Sequence, residues 1–209
     1  MKTTTATLER TAVPRICTTG TVVCVAPGPS LTEEDVNYVR GKATVVVLND
    51  AWKLAPWADV LYSSDLFWFP YYQWVPAFQG LKISFADISR PRAARDNGII
   101  LLKKTGEDGV EFGANGLRTT RNSGGAAINL AIHLGATRVI LLGYDMAGTN
   151  LFGPHPLGLR KTTSKDYETY RHLISSMVVP LKERGIEVVN CSRKTALKCF
   201  PVKPLREVL

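Results

Sequence analysis

Residues 21–35 read TVVCVAPGPSLTEED, and the fold is decided here. Thr21-Val22-Val23-Cys24-Val25-Ala26 is an apolar run of the kind expected in a parallel-sheet strand covered on both faces. Pro27-Gly28-Pro29-Ser30 ends it. Thr32 is a suitable helix N-cap, and Glu33, Glu34 and Asp35 in the first turn complement the helix dipole. The helix runs to about Arg40 and stops at Gly41. A buried strand that turns straight into a helix opens a wound α/β sheet.

Further along, the same alternation recurs. Strands are predicted at residues 43–48, 60–62, 81–85 and 138–142, with a short one over 98–102 and a last one at Ile186-Glu187-Val188-Val189. Residues 103–116 read as loop or hairpin, punctuated by Gly106, Gly109, Gly113 and Gly116. Ser123 is the expected N-cap of the helix AAINLAIHL, with Gly135 as its stop. Another helix is predicted over about 165–184, and a short amphipathic piece over 204–209. The prediction is one Rossmann-like domain over residues 21–200, a mostly parallel sheet with helices on both faces. A poorly ordered lead over 1–20 precedes it and a basic tail over 201–209 follows.

The composition agrees. The chain has 209 residues, 45% hydrophobic and 21% charged, which suits a single globular domain and excludes wholesale disorder. No run approaches the roughly 18 apolar residues of a membrane span, and residues 1–15 do not read as a signal peptide. A cytoplasmic location is therefore the expectation. Cys17, Cys24, Cys191 and Cys199 lack zinc-site spacing and are expected as reduced thiols. The net charge is +8 and uneven: residues 1–89 hold 7 Lys+Arg against 8 Asp+Glu, so all of the surplus lies beyond them. A basic half suits an anionic ligand, such as a nucleotide or nucleic acid.

In an open parallel sheet, ligands bind beyond the carboxyl ends of the strands. Five such ends here carry small and polar residues: Gly28-Pro29-Ser30, Asn49-Asp50, Ser63-Ser64-Asp65, Gly143-Tyr144-Asp145 and Asn190. The Gly28 turn allows a ligand close to the backbone and leads into a helix N-terminus, which favours an anion. It is neither GxGxxG nor a P-loop. Ser123-Gly124-Gly125, just after Arg118 and Arg121, is the second candidate anion site. Asn49 can donate to and accept from a base or ribose. Asp65 and Asp145 serve as Mg²⁺ ligands, ribose acceptors or turn formers. Of three histidines, His133 reads as packing and His172 as surface, while His155 sits in a Gly/Pro-rich loop suited to a general acid or base. Residues 57–78 hold nine of the eighteen aromatics, Trp57, Tyr62, Phe67, Trp68, Phe69, Tyr71, Tyr72, Trp74 and Phe78. Such a surplus can build core, a stacking wall or an oligomer contact, so a homo-oligomer is plausible. Arg90, Arg92 and Arg95 are a further possible phosphate clamp.

Taken in order, the strand–GPSL–helix start, Asn49, Ser63-Ser64-Asp65, Ser123-Gly124-Gly125, Gly143-Tyr144-Asp145-Met146 and His155 resemble the bacterial sialyltransferases of glycosyltransferase family 42. They also resemble the related 6-hydroxymethylpterin diphosphokinase (MptE-like) family, which small phage-encoded proteins often join. The resemblance covers about residues 21–200. It implies that Gly28, Pro29, Ser30 and Asn49 hold the nucleotide of a CMP-activated sugar, with Ser123, Gly124 and Gly125 bordering the pocket. His155 would take the proton of the acceptor hydroxyl in a direct displacement. The diphosphokinase reading implies instead ATP, Mg²⁺ and Asp65 with Asp145. A third reading is a protein that binds nucleotide or nucleic acid without turnover. The chain departs from the sialyltransferases at Pro27, where they carry a polar residue. It departs again at Tyr167 and Tyr170, which follow the histidine where the phosphate-gripping tyrosines of the family precede it.

Overall fold

A computed structural model of the chain describes residues 12–86, 91–114, 116–153 and 162–209. Eight strands form one sheet in the order β6-β5-β4-β3-β2-β1-β7-β8. They are β1 (Thr21–Val25), β2 (Thr44–Leu48), β3 (Val60–Ser63), β4 (Leu81–Phe85), β5 (Ile99–Gly106), β6 (Gly116–Arg118), β7 (Arg138–Leu142) and β8 (Glu187–Asn190). Every neighbouring pair is parallel. Successive strand side chains point to opposite faces. Val22 and Cys24 thus join one core, and Val23 and Val25 the other. The core on the second face takes in α1 (Glu33–Val39), α2 (Trp68–Tyr71), α3 (Pro91–Asp96) and α7 (Leu205–Val208). The other is roofed by α4 (Ser123–Leu134), α5 (Ser164–Ser175) and α6 (Val178–Glu183). The architecture is a Rossmann-like α/β sandwich. No helix among the described residues is long and apolar enough to cross a membrane. All four cysteines are unpaired, and burial pushes the Cys24 thiol up to about 12.

Four features differ from the sequence reading. Residues 103–116 are not a hairpin: β5 continues to Gly106, and the chain crosses over to lay β6 parallel beside it. Gly116 permits this pairing, because a Cβ there would lie 2.6 Å from the Lys103 carbonyl oxygen. The predicted 165–184 helix is two helices that break at Ser176 and Met177. Pro180 explains the break, since its ring excludes the carbonyl four residues back and it has no N–H to donate. The N-cap of α4 is Asn122, whose side chain accepts from the Gly125 N–H at 3.0 Å, and Ser123 is the first helical residue. Finally, described segments on either side of residues 21–200 pack against the sheet. Val13 is buried, and the Cys17 N–H bonds the Leu134 carbonyl at 2.9 Å. At the other end Leu205 is buried, and Arg206 pairs with Glu34 at 2.7 Å.

Candidate functional site

The chain steps outward from β1 through β2 to β6 on one side, then returns to place β7 and β8 on the other. The topological switch therefore lies between β1 and β7, where crevices form in such sheets. A cleft of about 1230 Å³ opens along the carboxyl ends of the strands at this point. Gly28, Asn49, Asp65, Ser123, Gly124 and Asp145 line it. Pro29, Ser30 and Gly125 stand directly behind its wall: Ser30 bonds Asp145, and a Cβ on Gly125 would lie 2.0 Å from the Thr120 hydroxyl. His155 and Arg90 lie outside the described residues. Arg92 and Arg95 are on α3, away from the cleft lining.

The Gly28 turn is not built as an anion cradle. Pro27 and Pro29 have no N–H, the Gly28 N–H donates to the Gly143 carbonyl at 3.1 Å, and the Ser30 N–H donates to Asp145 Oδ2 at 2.8 Å. The Ser30 hydroxyl donates to Asp145 Oδ1 at 2.7 Å. The anion this turn holds is the chain's own carboxylate, and the joint clamps the end of β1 to the end of β7. At the start of α4 the situation is the reverse. Every residue from Gly124 to Leu134 except Ile132 is buried, so the dipole of this helix is poorly screened. Among the described residues nothing bonds the N–H groups of Ser123 and Gly124, and both residues face the cleft. The Ser123 hydroxyl accepts from the Ser64 N–H at 3.1 Å and ties this helix start to the end of β3.

The two carboxylates differ. Asp65 is exposed, and its Oδ1 accepts from the Phe67 N–H at 2.9 Å. Asp145 is 6% exposed with both oxygens engaged by Ser30, which leaves it poorly placed as a Mg²⁺ ligand. Among the described residues no group of three or more metal-ligating side chains converges. Burial raises the Asp145 carboxyl above its ordinary range, opposed by the Ser30 bonds and by Lys194.

That balance gives a prediction. Ser30→Ala leaves Asp145 Oδ1 without its hydroxyl donor and costs about 1–2 kcal/mol near neutral pH. An acid whose folded pKa is raised contributes less stability as pH rises from its unfolded value, 3.8, through its folded one. Loss of the hydroxyl raises the folded value further. The variant is therefore more destabilised at roughly pH 7.5 than at roughly pH 4.5, as denaturant melts at the two pH values will read.

Several lining residues carried little sequence signal. Lys104 and Arg121 stand at the β5/β6 end, and the Lys104 ammonium lies 5.4 Å from the centre of the Phe85 ring. Arg118, in contrast, is turned into the structure and donates to the Thr105 carbonyl at 2.6 Å. Tyr167 and Tyr170 face the cleft from α5 with ring centres 6.1 Å apart; their three-residue spacing on one helix face was the available clue. Of the aromatic cluster, Tyr62, Trp68, Phe69 and Phe78 are buried, Phe67 and Tyr71 are exposed, and Phe67 and Trp68 line the cleft. Asn49, Thr120, Arg121 and Met146 all have positive φ, between 43° and 56°. Strained backbone of this kind concentrates at functional sites. The chain matches no family model, no curated protein and no solved structure.

Proposed function

We propose that this protein binds a nucleotide or nucleotide-activated donor in the cleft, as a transferase of the sialyltransferase-like type. The observation that carries the reading is the open start of α4. Two N–H groups, on Ser123 and Gly124, have no partner among the described residues, sit at the positive end of a buried helix and face a cleft at the switch point. The donor phosphate lies there, with Phe67 and Trp68 as an apolar wall and Asn49 at the end of β2 toward the base or ribose. In the transfer, the acceptor hydroxyl attacks the donor carbon and the nucleotide phosphate leaves with the bonding electron pair. His155 takes the hydroxyl proton, and the helix start stabilises the leaving phosphate.

A thermal-shift panel of CMP, CDP, UDP, GDP, ATP and a CMP-sugar, each with Mg²⁺ and with EDTA, tests the reading. A ligand at about 100 times its Kd stabilises the fold by about 2.7 kcal/mol, or about 5–10 °C for a chain of this size. A metal-independent shift with cytidine nucleotides is expected. A shift with ATP and Mg²⁺ alone points to the diphosphokinase chemistry, and no shift with any nucleotide defeats the proposal. His155→Ala should keep the nucleotide shift and lose transfer of the sugar. Turnover unchanged in that variant removes His155 from the mechanism.

A further inference from the structure

The cleft is too long for one small ligand. It reaches from Asp145, after β7, to Lys104 on β5 and Arg121 ahead of α4. β5 stands four strand positions from β1, or about 19 Å along the sheet. The volume, about 1230 Å³, exceeds the roughly 300–1,000 Å³ usual for a pocket that holds a single drug-sized ligand. The two ends also differ in chemistry. At the β1/β7 end the Asp145 carboxylate is buried and internally bonded. At the β5/β6 end, Lys104 has no acidic partner among the described residues and rests against the Phe85 ring. Among the described residues Arg121 pairs only with Glu107, at 3.6 Å, with both side chains more than half exposed. An exposed pair at that distance is weak and easily exchanged for a better acceptor.

We infer that the β5/β6 end of the cleft is a separate subsite for the anionic group of a second substrate, a phosphate or carboxylate held between Lys104 and Arg121. The word "second" rests on the nucleotide reading, whereas the anion subsite does not. The lysine supplies a point charge and the guanidinium a forked donor. The Phe85 ring takes the apolar part of the molecule. On this assignment the acceptor in the transfer is an acid, bound by its charge at one end while its hydroxyl reaches toward the middle of the cleft.

The test is an NMR titration with inorganic phosphate and, separately, acetate, at ionic strength fixed with NaCl. It follows the Arg121 Nε–H and Lys104 ammonium signals. Saturable shifts are expected at these two residues and not at Lys103, which is exposed on the same strand outside the cleft. Lys104→Gln and Arg121→Gln should each weaken binding about tenfold, and Lys103→Gln should leave it unchanged. A response to phosphate alone assigns a phosphorylated substrate, and a response to acetate as well assigns a carboxylate. Linear shifts equal to those of Lys103 overturn the subsite. The titration is then repeated with a stabilising nucleotide bound. Phosphate that still saturates supports a second ligand. If the nucleotide itself occupies Lys104 and Arg121, they belong to its phosphates and the inference fails. If no nucleotide binds, the nucleotide reading fails, and the first titration still decides the anion subsite.

Discussion

Gly28→Ala is expected to lower stability by about 3 kcal/mol, the upper part of the range for forcing an extra carbon into a packed site. A Cβ at residue 28 would lie 2.2 Å from the Gly143 carbonyl oxygen and 2.5 Å from Asp145 Oδ1. Neither can yield cheaply. The Gly143 carbonyl is backbone and accepts the Gly28 N–H, and the Asp145 carboxylate is held by Ser30 at both oxygens. The added methyl must therefore part β1 from β7 at the switch point. A melting point lower by about 6–12 °C is the expected reading for a chain of this length. Gly41→Ala is the control. Gly41 has φ +74° with nothing within 4 Å of a Cβ, so it pays only the left-handed backbone cost of about 1–2 kcal/mol. If the two variants melt together, steric closure at Gly28 does not hold the joint. Gly28→Ala should also weaken any nucleotide shift, because Gly28 and Asp145 both line the cleft.

The geometry at Gly28 bears on what a sequence can convey. The apolar run from Val22 to Val25 can only be a strand covered on both faces, and the structure places its alternate residues in two separate cores. The turn after it reads equally well as a ligand cradle or as a packed joint. The difference lies in the bond from the Ser30 N–H to Asp145, across 115 residues of chain, which no local pattern encodes. The polar strand ends were legible as a set, since topology alone gathers them at one edge. Their division of labour was not. The cation pair at the β5/β6 end needed β6 in place, and β6 is a three-residue strand without a pattern of its own. Pro180 was visible, and weighing its lost N–H against the helical periodicity would have placed the break between α5 and α6.

Asn129→Ala is expected to cost about 3 kcal/mol, although the residue lies in the middle of a mostly apolar helix, far from any terminus. Asn129 is fully buried on α4 and holds the β5–β6 crossover by its backbone. Its Oδ1 accepts from the N–H groups of Glu111 at 2.9 Å and Arg118 at 3.1 Å, and its Nδ2 donates to the Glu111 carbonyl at 2.7 Å. One turn further along, the His133 Nε2 lies 3.0 Å from the Gly116 carbonyl. Burial holds the His133 imidazole below its ordinary range, in the neutral form that can donate from Nε2. Alanine leaves two N–H groups and one carbonyl of the crossover without partners, at about 1 kcal/mol each. The damage should be local. Hydrogen exchange should rise over residues 111–118, while the amides of β1 and β7 keep their protection relative to global unfolding. Arg121 follows that segment directly, so phosphate binding at Lys104 and Arg121 should weaken while binding at the switch point persists. A loss of less than about 1 kcal/mol, or loosening spread evenly over the sheet, would show that β6 is held by its strand pairing alone. The far wall of the cleft would then not depend on the buried Asn129 that reaches across to it from α4.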